Sequence, residues 1–114
     1  MNIACDLTDR HCKPCEGGVA ALSREEAEGL LAQVPGWELA GDGKSIHRRF
    51  QFKGFYSAMA FVKAMAWVAN REDHHPDFTT GYNYCDVTFT THAIDGLSEN
   101  DFICAAKVNA LLDS

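Results

Sequence analysis

The chain has 114 residues, 46% of them hydrophobic, with a formal net charge of -6. That length supports one compact core and not two, and a domain so small leaves enough apolar surface exposed that self-association is expected to cover part of it. The 10 Lys and Arg residues are scattered, Arg48-Arg49 being the only adjacent pair, which speaks against nucleic acid as a partner. Lys53 and Lys63 interrupt the longest apolar region well short of the roughly 20 residues of a membrane span. The first six residues lack the basic start and apolar run of a secretion signal, so a cytoplasmic location is expected. Five cysteines cannot all pair within one chain, and their scatter over Cys5, Cys12, Cys15, Cys85 and Cys104 points to reduced thiols.

Residues 1–20 contain Cys12-Lys13-Pro14-Cys15-Glu16-Gly17-Gly18, rich in turn formers and without periodicity, and read as an N-terminal arm preceding a single domain over 21–114. Ser23 with Glu26 forms a capping-box pattern opening a helix with Ala27, Leu30, Leu31 and Val34 on one stripe, stopped by Pro35-Gly36. Trp37 to Ala40 and Ser45 to Phe52 read as strands joined by a Gly41-Asp42-Gly43 turn. Ile46, Phe50 and Phe52 share a face of the second strand that Arg48 interrupts.

After Gly54 a second helix is expected to run to about Asp73, with Phe55, Met59, Val62, Ala66 and Ala69 on one stripe and Phe61, Met65 and Val68 beside it. Pro76 turns His75 away from helical geometry, and Asp77 to Thr80 allow a short strand. From Tyr84 to Thr91 the alternation is that of a strand, with Cys85, Val87 and Phe89 on one face; His92 joins the polar face if the strand continues. Ser98 and Asp101 open a last helix, its inner side formed by Phe102, Ala105, Ala106, Asn109 and Leu112.

Glu72-Asp73-His74-His75-Pro76-Asp77 concentrates two imidazoles and three carboxylates at a helix end. Acidic groups there meet the negative end of the helix dipole, and such violations of local preference concentrate at functional sites. The same dipole and the neighbouring carboxylates favour a protonated His74, suited to donating a proton. A histidine pair at a helix end also fits simple capping of carbonyls. A third histidine, His92, aimed toward the same end of the sheet argues against that. Imidazoles ligate Zn, Fe or Cu, but this spacing follows no metal motif. Cys12 and Cys15, with Cys5 and His11 near them, have no second Cys-x-x-Cys pair to complete a zinc site, and no βα junction for redox work precedes them. An unligated thiol pair in a flexible arm is expected. Phe78, Tyr82 and Tyr84 are ordinary sheet residues or faces for a flat heterocycle. Asp101 is explained by capping alone, a role that leaves room for another.

The run from His74 to Asn83, then Thr91-His92, then Gly96 to Asp101 closely resembles the signature of the pterin-4a-carbinolamine dehydratases. It has His-His-Pro, an aromatic six residues after the proline, a histidine ten residues later and an aspartate nine beyond that. Cys15-Glu16-Gly17-Gly18, Leu22 and Pro35-Gly36-Trp37 extend the likeness upstream, toward bacterial members. One departure stands out: Asn70 occupies the position, four before the first histidine, where the family usually has an ionisable side chain.

The resemblance implies an α+β fold, an antiparallel four-stranded sheet with three helices packed on one face, associating as a homodimer or homotetramer. It implies a lyase that dehydrates 4a-hydroxytetrahydropterin to quinonoid dihydropterin without metal or organic cofactor, in support of an aromatic amino-acid hydroxylase. On the same basis His74 and His92 are the expected acid/base pair, His75 a binding residue, Asp101 an orienting residue and Asp77 its neighbour, while the aromatic faces of Phe78 and Tyr82 are expected to bind the substrate. Unperturbed imidazoles, with pKa about 6.5, exchange protons near neutral pH. A protein-binding module is the alternative, because some animal members also act as dimerisation cofactors of a homeodomain transcription factor.

Overall fold

The computed structural model describes residues 7–13 and 20–112. Among the described residues, helices α1 (Arg24–Leu31), α2 (Phe55–Glu72) and α3 (Glu99–Ala110), preceded by helical residues 7–9, accompany strands β1 (Glu38–Leu39), β2 (Ile46–Gln51), β3 (Asp77–Thr80) and β4 (Tyr84–Phe89). The sheet order is β1-β2-β4-β3, and every neighbouring pair is antiparallel. Strict alternation in β4 buries Cys85, Val87 and Phe89 on the face that carries the helices. The opposite face is polar, where Arg49 forms two hydrogen bonds to Asp86 (2.7 and 2.8 Å) and stacks over Tyr84.

Helix α1 begins as its capping box requires, with Glu26 N–H donating to Ser23 Oγ and Ser23 N–H donating to the Glu26 carboxylate. The β3–β4 turn permits only glycine at position 81, since a Cβ there would lie 2.2 Å from the Tyr84 ring. Strand β1 is shorter than its sequence predicts, because Trp37 leaves the ladder to enter the core against Phe50 and Phe89.

Two apolar stripes differ from expectation. On α2 the inward residues are Ala58, Phe61, Met65, Val68, Ala69 and Glu72, whereas Phe55 and Met59 face outward with Tyr56 and Trp67. The helix is apolar almost all round, so its periodicity did not select the buried side. Helix α3 is buried on nearly every side from Asn100 to Val108, Lys107 alone being only partly buried, while Leu112 is exposed. Asn109, the polar break in its expected inner face, accepts hydrogen bonds at Oδ1 from Trp37 Nε1 (2.8 Å) and Arg48 Nη1 (2.6 Å). Its Nδ2 and Arg48 Nη1 both donate to Pro35 O. This knot explains why Arg48 interrupts the apolar face of β2, since its guanidinium lies over Phe50 while its nitrogens cross-link three segments.

The described part of the N-terminal segment is packed, where a flexible arm was expected. Leu7 is buried in the core, Lys107 Nζ donates to Thr8 O, and residues 10–13 lie against α3 and the end of α2. Cys5 and Cys15 lie outside the described residues.

Candidate active site

Helix α2 ends in a left-handed turn at Asp73 (φ 52°). The His74 N–H then reaches Ala69 O and the Asp73 N–H reaches Asn70 O, a Schellman closure in which aspartate occupies the position usually given to glycine. This closure, with Pro76 directly after, throws His74 inward and His75 outward. His92 does not continue β4, which ends at Phe89. It opens a 3-10 turn, His92–Ile94, in a loop closed by paired backbone hydrogen bonds between Thr91 and Gly96. Gly96 is required there, because a Cβ would sit 2.7 Å from that of Ala21.

These turns bring His74, His75 and His92 to one cleft of about 610 Å³, walled on the other side by Cys12, Lys13 and Asn100. His75 and His92 are exposed, whereas the His74 side chain is only 12% accessible. The His74 ring stacks parallel to Phe89 and its Nε2 lies 2.6 Å from Asp101 Oδ1. Asp101 is fully buried, and its Oδ2 accepts from Ser98 N–H (2.9 Å) and Thr91 Oγ1 (2.8 Å). The single Thr91 hydroxyl hydrogen is given to Asp101, so Thr91 accepts from the Ser98 hydroxyl at 2.7 Å. Asp101 therefore both caps α3 and clamps His74. A carboxylate can only accept, so the hydrogen between them belongs to His74 Nε2, leaving Nδ1 to gain or lose a proton.

Glu72 does not serve His74. Its carboxylate, with a side chain 2% accessible, accepts from Cys12 N–H (2.8 Å), pairs with His11 Nδ1 (3.0 Å) and lies 3.7 Å from Lys107 Nζ. Burial opposes its ionisation, yet these hydrogen bonds and cations outweigh burial and hold the carboxyl below its ordinary value. Asp77 lies exposed at the start of β3, and Phe78 and Tyr82 are 47% and 68% accessible, none of them in the wall of the cleft. Sequence alone assigns no site role to Thr91 or to the wall residues Cys12, Lys13 and Asn100. Only the adjacency of Thr91 to His92 hinted at its place. Among the described residues no three His, Cys, Asp or Glu side chains converge to hold a metal ion.

The sequence profile of the family described as pterin 4 alpha carbinolamine dehydratase matches residues 20–111. A protein of Nitrosomonas eutropha, named as a candidate pterin-4-alpha-carbinolamine dehydratase, is 63% identical over 115 aligned positions, covering 100% of both chains. The crystal structure of a transcriptional coactivator/pterin dehydratase from Brucella melitensis superposes with a TM-score of 0.77 at 36% identity, covering 80% of this chain and 97% of that one. A pterin dehydratase-like protein identified as a RuBisCO assembly factor in the alpha-carboxysome gives 0.60 at 26% identity, covering 68% and 90%. The cleft that gathers His74, His75 and His92 thus belongs to a chain that is a member of the pterin 4 alpha carbinolamine dehydratase family.

Proposed function

We propose that this protein is an active hydro-lyase that removes water from a 4a-hydroxytetrahydropterin, giving quinonoid dihydropterin in the recycling of tetrahydropterin for aromatic amino-acid hydroxylation in the cytoplasm. The supporting observation is the convergence of the three histidines on one cleft, with one of them clamped by a buried carboxylate. Breaking the C4a–O bond requires a proton delivered to the departing hydroxyl and another removed from a ring nitrogen. His74, through Nδ1, and His92 form the acid/base pair, and His75 binds the pterin. Asp101 is a positioning residue that fixes the tautomer and plane of His74. The reaction draws on no metal or organic cofactor.

The test is the dehydration rate of freshly generated 4a-hydroxytetrahydropterin, measured with wild type and with His74→Ala/His92→Ala against the uncatalysed background. Acceleration that the double variant largely loses supports the reaction and its site. A wild-type rate equal to background sinks both.

One observation favours a second reading, a protein-binding dimerisation or coactivator module: Phe55, Tyr56, Met59 and Trp67 leave an apolar strip exposed along α2. The names of the two related structures join this fold to coactivation and to RuBisCO assembly. The histidine double variant separates the readings, since it removes dehydration and leaves a partner contact on α2 intact.

A further inference from the structure

Cys12 and Cys104 come from segments 92 positions apart, yet their Sγ atoms lie 3.5 Å from each other. Cys12 is half-buried and lines the cleft, so a small oxidant reaches it through the space that admits substrate. Cys104 is fully buried on α3, one turn beyond Asn100, with its Sγ 4.0 Å from His74 O. Backbone contacts hold the two segments in register. Cys12 N–H donates to Glu72, Lys13 N–H donates to Asn100 Oδ1 (3.0 Å), and Asn100 Nδ2 donates to Lys13 O. We propose that Cys12 and Cys104 form a reversible thiol–disulfide site that latches the N-terminal segment onto α3 at the wall of the cleft when a peroxide is present.

The geometry needs little change. A disulfide is about 2.05 Å long, so the sulfurs close by about 1.5 Å, and Cys12 lies in a stretch with neither helix nor strand that can supply the shift. The order of events follows from the two environments. Cys12, as thiolate, attacks a peroxide oxygen; the O–O bond breaks, hydroxide leaves and takes a proton to become water, and Cys12 becomes a sulfenic acid. Cys104 sulfur then attacks Cys12 sulfur, the S–O bond breaks, and the hydroxide departs with the Cys104 proton as a second water. Two thiols are oxidised and one peroxide is reduced to two waters. Until the first step, the hydrogen bond with Cys12 and burial keep the Cys104 thiol far above the ordinary cysteine range and unreactive.

This inference does not depend on the reaction assigned to the cleft, and its test reads the bond itself. The full-length protein is treated with hydrogen peroxide, its free thiols are alkylated under denaturing conditions, and the peptides are mapped without reduction. The expected product links Cys12 to Cys104, leaves Cys85 alkylated, and slows amide exchange at Cys12 and Lys13 by about tenfold or more, reversed by dithiothreitol. Cys104→Ser removes the link and the added protection; should that buried variant fail to fold, Cys12→Ser at the half-exposed position gives the same readout. A Cys12–Cys15 link, no link, or a Cys12–Cys104 link without slower exchange overturns the latch.

Discussion

His74 Nε2 and Asp101 Oδ1 meet at 2.6 Å across 27 positions of sequence, joining the end of α2 to the first turn of α3. The same carboxylate takes the Ser98 N–H and the Thr91 hydroxyl, so one buried charge serves a helix cap, the loop of His92 and the ring of His74. Site geometry and local stability are thereby held in one side chain.

Asp101→Asn should accordingly cost both. An amide keeps one acceptor oxygen and puts an NH2 in place of the other, which faces either His74 Nε2, forcing the opposite tautomer, or the Ser98 N–H and Thr91 hydroxyl, which lose their acceptor. Leaving one such buried group unsatisfied costs about 1–3 kcal/mol. Dehydration should fall roughly 10²-fold with the fold retained, because His74 loses the partner that fixes its tautomer. Urea denaturation and initial rates on the same preparation check this. A stability loss with an unchanged rate would reduce Asp101 to a helix cap.

His75 and His92 are exposed, and His92 projects from a turn whose closure is made by backbone atoms. His92→Ala should therefore change stability by less than about 0.5 kcal/mol while lowering kcat by roughly 10²-fold or more. His75→Ala, removing a binding contact, should raise KM more than it lowers kcat. Steady-state kinetics of the two single variants decide; a reversed pattern would exchange their roles.

Glu72 predicts the acid limb of stability. Its carboxyl lies below the ordinary value of 4.5 in the folded protein, so the unfolded chain protonates first as pH falls. Its stabilisation is complete above about 4.5 and disappears as pH falls through the lower folded value. Glu72→Gln should flatten this limb and speed amide exchange across residues 10–13 at neutral pH, because the charge facing His11 and Lys107 is gone. Melting curves from pH 3 to 7 provide the check, and an unchanged acid limb would mean that the segment is held by other contacts.

The elements that sequence predicts well are those whose signals are local. The Ser23–Glu26 and Ser98–Asp101 caps, the turn at Gly41–Gly43 and the alternation of Cys85, Val87 and Phe89 each follow from a few neighbouring residues, and each is present. The buried side of α2 was not legible, because a helix apolar all round offers its partners no preferred face. Arg48 and Asn109 looked like defects in two apolar faces until Trp37 and Pro35 were seen to satisfy them. At the site, the histidines and Asp101 stood out by spacing. The wall formed by Cys12, Lys13 and Asn100 did not, since it depends on a long-range docking of the N-terminal segment that no local pattern encodes.

The left-handed residue at the end of α2 yields a prediction of opposite sign to most substitutions. Asp73 holds φ at 52°, a region that costs residues with a Cβ about 1–2 kcal/mol, less for aspartate, and nothing for glycine. Its charge also sits at the negative end of the helix dipole, a further few tenths of a kcal/mol against it. Asp73→Gly removes both penalties and loosens the unfolded chain, an entropic loss of roughly 0.5–1 kcal/mol that offsets part of the gain. Asp73→Ala removes the charge but keeps a Cβ without the tolerance of aspartate for this conformation. The melting temperatures should therefore rank Gly above Asp and Asp above Ala, with about 1 kcal/mol between the extremes. An Ala variant that melts as high as the Gly variant would show that Asp73 is not under backbone strain, and that the turn presenting His74 is set by Pro76 alone.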